Sequence, residues 1–324
     1  MTKFPQAKRI SLPGRDGRPG IALAVHEQGS GPAVVLCHGF PELAYSWRHQ
    51  LPALAEAGFR AIAPDQRGYG GSGRPEKVED YDLMDLTGDL VGLLDALGIE
   101  KAVFLGHDWG GVVAWAMPLV HPERTAGVIG ICTPYRSLST AAIRAAWKGE
   151  VAGHYMLWFQ QPGVAEAVLD AQVRLCFEKL MRRNFSPAEM MRRTSPSSPF
   201  DMNPFRRLPT VESYGEALLS EEELAVYTET FERTGFGGGI NWYRNIDRND
   251  ELVPGRGERP LTLPCLMITA EWDFALPPRL AERMPAVCSD LEMHMIPRAG
   301  HWVQQEFPDE VNRLVIRWLK RRYL

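Results

Sequence analysis

The chain reads AVFLGHDWGG at residues 102–111, and this stretch decides the fold. Residues 102–105 are apolar and predict a buried strand, and a helical pattern follows Gly111. Small residues lie two positions before and two positions after Asp108, so the chain can turn sharply and hold this side chain in a strained, exposed position. The stretch predicts a strand-turn-helix unit with a nucleophile at its tip, the alternative being an aspartate that only caps the helix.

The sequence on both sides of this unit alternates short β-branched runs with helical patterns. This alternation is typical of βα units that build a mainly parallel sheet. Strands are predicted at residues 21–25, 33–37, 60–63, 102–106, 127–132, 263–270 and 291–296, and helices at residues 83–97, 111–120 and 309–321. We therefore expect an α/β core composed of residues 1–135 and 253–324.

The strand signal is absent from the middle of the chain. Helical patterns replace it at residues 163–182 and 221–234, and a Pro- and Ser-rich segment at residues 194–209 interrupts them. Residues 136–252 are therefore predicted to form an inserted helical cap. Such an insertion would lie over the carboxyl ends of the strands, where ligands bind in open α/β sheets.

Composition narrows the class of protein. The 324 residues carry a formal net charge of -4, with 45% hydrophobic and 23% charged residues, so a nucleic acid partner is not indicated. No apolar run approaches the roughly 18 residues of a membrane span and no apolar segment follows the basic N-terminus, so we expect a cytoplasmic protein without a membrane partner. The five cysteines are widely spaced, which favours free thiols over disulfides, and no spacing predicts a metal site.

Asp108 stands where this kind of turn usually holds a serine. A carboxylate has a reference pKa of about 3.9, so it is ionised at neutral pH without the help of a base. It is suited to attack an sp³ carbon, which would give an alkyl ester of Asp108. Water must then cleave that ester, and a general base is needed for this second step.

A histidine late in the chain is expected to be that base, because folds with this turn order their residues as nucleophile, acid and histidine. His301 follows the last predicted strand, and Asp273 follows the strand before it, where a carboxylate could orient the imidazole. Glu271, two positions before Asp273, is a competing acid, and Asp273 is preferred. Taken alone, each could be a cap or a solvated loop residue, and it is their order that favours catalysis.

The segment His38-Gly39-Phe40-Pro41 follows a predicted strand and occupies the loop that faces the turn. Gly39 allows unusual backbone angles and a close approach of the backbone. The amide N–H groups of Phe40 and Trp109 are therefore candidates for an oxyanion hole during ester hydrolysis. A generic tight turn is the alternative interpretation.

Taken in order, these motifs resemble those of the epoxide hydrolases of the α/β-hydrolase fold, in particular the soluble, cap-bearing type. The matching segments are HGFPE at residues 38–42, DQRGYG at 65–70, GHDWGG at 106–111, AEWDF at 270–274 and GHW at 300–302. Several are shared with haloalkane dehalogenases, so they indicate the mechanism class better than the substrate. Some relatives carry a further N-terminal phosphatase domain, and we expect that activity to be absent because only a short segment precedes the first motif.

The resemblance assigns to two cap tyrosines the task of donating hydrogen bonds to the ring oxygen of an epoxide. Tyr155, in HYMLWFQQPG, matches the first, and Tyr243, in NWYRN, matches the second, although the family often reads QEPG where this chain has QQPG. A phenol with a pKa of about 10 stays protonated at pH 7, so it can protonate the leaving oxygen. Dehalogenases lack this pair, so it favours an epoxide hydrolase, and aromatic packing within the cap is the alternative.

An apolar substrate pocket is expected, although core packing explains its aromatic residues as well. The candidate lining residues are His38, Pro41, Trp158, Phe159 and Trp242. The expected reactants are a small apolar epoxide and water, without a metal or an organic cofactor, and a homodimer is one option for the oligomeric state. A haloalkane dehalogenase that holds halide through the Trp109 indole is the closest alternative, and a non-catalytic ligand-binding protein on the same fold is another.

Overall fold

An eight-stranded sheet forms the centre of the protein in a computed structural model, which describes residues 4–15, 17–183, 186, 188, 203–210, 213 and 215–324. The strands are β1 (Lys8–Leu12), β2 (Ile21–Gln28), β3 (Ala33–Cys37), β4 (Arg60–Asp65), β5 (Ala102–His107), β6 (Thr125–Ile131), β7 (Cys265–Ala270) and β8 (Leu291–Ile296). They lie in the order β1-β2-β4-β3-β5-β6-β7-β8. β2 pairs antiparallel with β1 and β4, and the other pairings are parallel. The predicted α/β class with a mostly parallel sheet is confirmed.

Parallel pairing brings the carboxyl ends of the central strands to one edge of the sheet. Gly106 of β5 pairs with Cys37 of β3 on one side and with Gly130 of β6 on the other. Ile131 of β6 in turn pairs with Ile268 of β7. The loops that follow these four strands therefore meet at the same edge, and they carry most of the residues for which the sequence predicts chemistry.

One strand, β1, was not predicted from the sequence. Its residues are mainly polar and exposed, and it pairs with β2 at the end of the sheet. An edge strand that buries little apolar surface carries a weak periodic signal, which explains the omission. The other seven strands are present, with ends that differ from the prediction by a few residues.

Helices cover both faces of the sheet. They are α1 (Gln50–Glu56), α2 (Leu83–Ala96), α3 (Trp109–Val120), α4 (Thr140–Ala146), α5 (Tyr155–Trp158), α6 (Val164–Leu169), α7 (Val173–Leu180), α8 (Glu221–Thr234), α9 (Gly237–Arg244), α10 (Ile246–Leu252), α11 (Val303–Glu306) and α12 (Pro308–Tyr323). Side chains alternate between the faces of a strand, so Val35 and Cys37 belong to one hydrophobic cluster and Val34 and Leu36 to the other. The first cluster continues into the helices between β6 and β7.

The helices α4 to α10 lie between β6 and β7, in the region for which a cap is predicted. The single helix expected at residues 163–182 is instead two helices, α6 and α7, separated by a 3-10 turn. At that turn, the Asp170 carboxylate accepts a hydrogen bond of 2.9 Å from the backbone N–H of Phe236. Gln172 leaves the helical conformation with a φ of -141°. The prediction of one continuous helix is wrong, and the break coincides with this contact to a distant segment.

The helix α8 spans residues 221–234, as predicted. Ser220 and Glu223 form a capping box at its start, in which each side chain binds the backbone N–H of the other residue. Of the predicted Pro- and Ser-rich segment, residues 194–202 lie outside the described residues, and Pro204–Arg207 forms a 3-10 helix. The division into residues 1–135 with 253–324 and residues 136–252 stays a prediction.

Two expectations from composition can be compared with the structure. The five cysteines are free and buried, as their wide spacing predicted. Within the described ranges, no helix combines the length and the apolar character that a membrane span requires.

Candidate active site

Asp108 lies at the tip of the turn between β5 and α3. Its φ of 50° and ψ of -123° are unusual for a residue other than glycine. The turn requires glycine at residue 110, because a side-chain carbon there would overlap the carbonyl oxygen of Cys37 in the neighbouring strand. The hydroxyl of Thr133 donates a hydrogen bond of 2.7 Å to the carbonyl oxygen of Asp108. The predicted turn is present, and its surroundings hold Asp108 in an uncommon conformation.

Two backbone amides contact the Asp108 carboxylate. The N–H of Phe40 donates a hydrogen bond of 2.8 Å to Oδ1, and the N–H of Trp109, the residue that follows Asp108, also favours the charged carboxylate. Burial raises the pKa of Asp108, while His301, His107 and the two amides favour the charged form. The structure therefore brings Asp108 together with both predicted oxyanion-hole donors, and 15% of its side chain remains exposed.

His301 faces the other carboxylate oxygen of Asp108. Its Nε2 lies 3.7 Å from Asp108 Oδ2, and its Nδ1 donates a hydrogen bond of 2.9 Å to Asp273 Oδ2. This hydrogen bond orients the ring and directs Nε2 toward Asp108. Burial lowers the pKa of His301, but the negative charges of Asp273 and Asp108 outweigh burial and raise the pKa to about 9.

Asp273 is fixed by its own loop. Its Oδ1 accepts hydrogen bonds of 2.9 and 2.8 Å from two backbone N–H groups that follow it in the chain. Burial raises the pKa of this carboxyl, but the contact with His301 and these hydrogen bonds hold the pKa below its ordinary value. Glu271, the competing acid, accepts a hydrogen bond from the backbone N–H of Arg298. The structure therefore brings Asp273, and not Glu271, to His301.

A buried polar network that was not predicted from the sequence lies behind the site. Glu42 Oε2 lies 2.8 Å from His107 Nδ1 and accepts a hydrogen bond of 3.0 Å from the N–H of Gly39. Its Oε1 accepts hydrogen bonds from two glutamine side chains of α11. Burial raises the pKa of Glu42, but His107 and the other contacts lower it to about 2. Nε2 of His107 donates to the carbonyl oxygen of His301 at 2.8 Å, so the network supports the loop that carries the proposed base.

The two cap tyrosines lie next to each other. Tyr155 begins α5, Tyr243 belongs to α9, and their ring centroids are 5.8 Å apart. The Tyr243 ring also packs edge-on against that of Trp109, with centroids 5.0 Å apart. Burial raises the pKa of both phenols, and the charge of Asp108 raises each further. Both therefore remain protonated donors, and Gln160 ties their helices together by donating to the carbonyl oxygens of Met156 and Tyr243.

Two residues expected to line the pocket bind the backbone instead. The buried ring of His38 donates through Nδ1 to the carbonyl oxygen of Gly39 and accepts through Nε2 from the N–H of Gln66, both at 3.0 Å. Trp242 is also fully buried, and its indole N–H donates to the carbonyl oxygen of Arg67 at 3.1 Å. Both side chains therefore hold backbone groups around the site, and their contact with a substrate stays a prediction.

The remaining three lining candidates pack around the tyrosines. The Phe159 ring centroid lies 4.9 Å from that of Tyr243 and 5.6 Å from that of Tyr155. Trp158 packs against Phe159 at 5.7 Å, and Pro41 is buried in the loop that carries an oxyanion-hole amide. Contact of these side chains with a substrate stays a prediction.

One group of potential metal-binding side chains lies at the site. Within the part of the chain that the structure describes, ligand atoms of His107, Cys132 and His301 lie within 4.8 Å of one another. Both ring nitrogens of His107 and Nδ1 of His301 are already hydrogen-bonded. These contacts give the histidine nitrogens roles that require no metal, and we assign none.

Comparison with known proteins identifies the family. The chain matches the α/β hydrolase fold family over residues 32–308. It is 42% identical to epoxide hydrolase A of Mycobacterium tuberculosis, over 93% of this chain and 94% of that protein. It is 40% identical to bifunctional epoxide hydrolase 2 of Sus scrofa over 94% of this chain, and it spans 54% of that longer protein.

Solved structures agree with the sequence relatives. Epoxide hydrolase A from Mycobacterium thermoresistibile matches with a TM-score of 0.84 and 43% identity, over 98% of each chain. An epoxide hydrolase from an endophytic Streptomyces matches with a TM-score of 0.83 and 36% identity, over 98% of this chain and 96% of that one. The resemblance drawn from the motifs is confirmed. The chain belongs to the α/β hydrolase fold family and, within it, to the epoxide hydrolases.

Proposed function

We propose that the protein converts epoxides to vicinal diols through a covalent ester on Asp108. One observation carries the proposal: a carboxylate stands at the elbow, and two protonated phenols, Tyr155 and Tyr243, lie close enough to it for its charge to raise the pKa of both. A carboxylate nucleophile alone would fit several leaving groups. Two phenol donors fit a leaving oxygen that must gain a proton.

The first step is proposed to open the ring. Oδ2 of Asp108 attacks a ring carbon and forms a C–O bond, while the bond between that carbon and the ring oxygen breaks. The electron pair moves to the ring oxygen, which takes a proton from Tyr155 or Tyr243. Oδ1 remains hydrogen-bonded to the Phe40 amide, so Oδ2 is the oxygen left to attack. The product is a β-hydroxyalkyl ester of Asp108.

The second step is proposed to release the diol. Neutral His301 removes a proton from water, and the hydroxide attacks the ester carbonyl carbon of Asp108. The developing negative charge lies on Oδ1, where the Phe40 amide already donates and the Trp109 amide is proposed to donate as well. The bond between the carbonyl carbon and the diol oxygen then breaks, and that oxygen takes the proton from His301. The second proton of the water restores the phenol, so the sum is epoxide plus water to diol.

The ester can be tested by single turnover in ¹⁸O-labelled water. We expect the label to enter the Asp108 carboxylate in the first turnover and to reach the diol only in later turnovers. A diol labelled directly in the first turnover would overturn the covalent scheme. As a matched variant, His301→Gln is expected to accumulate the ester, which appears as a mass increase equal to the epoxide when the intact protein is weighed.

The two alternatives raised by the sequence have less support. A dehalogenase would need the Trp109 indole for halide, whereas the indole packs edge-on against the ring of Tyr243, with centroids 5.0 Å apart. Halide release from haloalkanes, measured beside diol formation from styrene oxide, separates the two activities. A non-catalytic binding protein would not need the contacts that join Asp108, His301 and Asp273, and binding of an epoxide without turnover would favour it.

A further inference from the structure

A buried carboxylate binds the loop that carries His301. Glu306, the last residue of α11, has only 5% of its surface exposed. Its Oε2 accepts a hydrogen bond of 3.0 Å from the N–H of Gly300, and its Oε1 accepts one of 3.2 Å from the N–H of Trp302. These two donors are the neighbours of His301 in the chain. One side chain therefore binds the backbone immediately before and immediately after the proposed base.

Other groups of the site hold the same loop. The carbonyl oxygen of Ala299 accepts a hydrogen bond of 2.8 Å from the N–H of Trp272, in the loop of the proposed acid. The ring of His107 donates to the carbonyl oxygen of His301 at 2.8 Å. Glu306 differs from these partners because it accepts from two N–H groups at once, and both hydrogen bonds are buried. A buried N–H that loses its acceptor is costly, so removal of this carboxylate should loosen the loop.

We propose that Glu306 is a positioning residue that holds His301 in the geometry required for ester hydrolysis. The inference rests on the proposed function, in which His301 acts in the second step. Nε2 of His301 must reach a water molecule beside the Asp108 ester, while Nδ1 keeps its hydrogen bond to Asp273. A misplacement of about 1 Å can cost on the order of 10²-fold in rate. A loop without two of its buried hydrogen bonds would allow such a shift.

The effect should be confined to one of the two chemical steps. Attack of Asp108 on the epoxide needs no base, because a carboxylate is already ionised at neutral pH. Hydrolysis of the ester does need His301, and Glu306 binds the loop of that residue. Loss of the Glu306 carboxylate should therefore slow hydrolysis of the ester and leave the rate of its formation unchanged.

A purely electrostatic role of Glu306 predicts the opposite result. Burial raises the pKa of Glu306, whereas its two hydrogen bonds and the positive charge of His301 favour the charged form. Because the two charges attract each other, loss of the carboxylate charge would lower the pKa of His301. The neutral base would then be more abundant at pH 7, and ester hydrolysis would become faster. Slower hydrolysis therefore separates positioning from charge.

The test measures both steps in single turnovers with styrene oxide, from the mass of the intact protein at successive times. We expect Glu306→Ala to slow ester hydrolysis at pH 7 by on the order of 10- to 100-fold, so that the ester accumulates. Glu306→Gln keeps one acceptor oxygen, but its amide nitrogen cannot accept from the other N–H, so a smaller decrease of about threefold to tenfold is expected. Ester formation should keep the wild-type rate in both variants.

Asp82→Asn is the matched control. Asp82 is a fully buried carboxylate that accepts hydrogen bonds of 2.9 and 3.1 Å from the N–H groups of Met84 and Asp85 at the start of α2. Its substitution also removes a buried negative charge, but in a different part of the fold, so the ratio of the two rates should stay at the wild-type value. Circular dichroism checks the fold of each variant, and Glu306→Gln carries the test if the alanine variant does not fold.

A measurement without substrate separates this inference from the proposed function. The Nδ1 proton of His301 gives a downfield NMR signal in its hydrogen bond to Asp273, and its exchange with water reports how often that bond opens. We expect this exchange to become faster by at least about tenfold in Glu306→Ala and to stay unchanged in Asp82→Asn. Unchanged exchange, equal slowing of both steps or faster ester hydrolysis in a folded Glu306 variant would each overturn the inference. Absence of an ester in the wild-type protein would instead overturn the proposed function, and the exchange rate would still decide whether Glu306 positions His301.

Discussion

The pH dependence of stability tests the coupling between His301 and Asp273. Folding raises the pKa of His301 to about 9, because the charge of Asp273 outweighs the effect of burial, from about 6.5 in an unfolded chain. A group with a raised pKa stabilises the folded state fully below its unfolded pKa, and that stabilisation is lost as the pH rises through its folded pKa. The window in which the protein loses this contribution is therefore about pH 6.5 to 9.

The size of this loss in unfolding free energy follows from the pKa shift of His301. One pKa unit corresponds to about 1.4 kcal/mol, so a pKa of about 9 predicts that the unfolding free energy falls by roughly 2–3 kcal/mol between pH 7 and pH 10 from this residue. Solvent screening reduces this free-energy change only slightly, because 12% of the His301 side chain and none of the Asp273 side chain is exposed. We expect Asp273→Asn, which has nearly the same shape, to lose most of this pH dependence.

Urea unfolding of both proteins at several pH values, followed by tryptophan fluorescence, measures the difference. Tyrosines and lysines titrate in the wild type and in the variant alike. The difference between the two profiles of unfolding free energy against pH therefore isolates the contribution of the His301–Asp273 pair. Parallel profiles between pH 7 and pH 10 would refute the reasoning. An NMR titration gives a second reading, in which the pKa of His301 is expected to fall by more than one unit in Asp273→Asn.

Two further predictions concern the tyrosines and the elbow. The double variant Tyr155→Phe with Tyr243→Phe should lose epoxide opening and keep the wild-type circular dichroism spectrum, because general-acid help of about 10² to 10⁴ disappears; near-wild-type turnover would contradict the role of the phenols. Gly110→Ala should lower the unfolding free energy by at least about 2 kcal/mol in urea unfolding, because the new carbon would overlap a backbone oxygen. The matched control is Gly88→Ala in α2, where the added carbon meets no atom and a helix interior favours alanine, so stability should be kept or increased; equal loss in both variants would refute the steric argument.

The sequence predicts those strands and helices that a local pattern of apolar and polar residues marks. Buried central strands such as β3 and β5 are continuous apolar runs, and they are predicted well for that reason. The exposed edge strand β1 lacks this signal and was missed. The break between α6 and α7 was missed because the Asp170 carboxylate binds the backbone of Phe236, far along the chain. Local patterns carry no information about such a partner.

The same distinction applies to the site. Chain order places Asp108, Asp273 and His301 at the ends of parallel strands, so their meeting could be predicted from topology. The partners of Glu42 could not, because one of its hydrogen bonds joins residues 262 positions apart in the chain. Of the Cys132 thiol, the sequence predicts only that it is free, and its contact of 3.5 Å with the carbonyl oxygen of His301 could not be predicted.

An aspartate at the elbow also changes when the base must act. A serine nucleophile needs its base before the first bond forms, whereas an ionised carboxylate does not. In the free protein, Asp273 and Asp108 both raise the pKa of His301, so the imidazole is mainly protonated at pH 7. In the proposed mechanism, formation of the ester removes the charge of Asp108, so the pKa of His301 falls and the neutral base becomes more populated once there is an ester to hydrolyse. The order of the two steps is therefore favoured by the charges of the site.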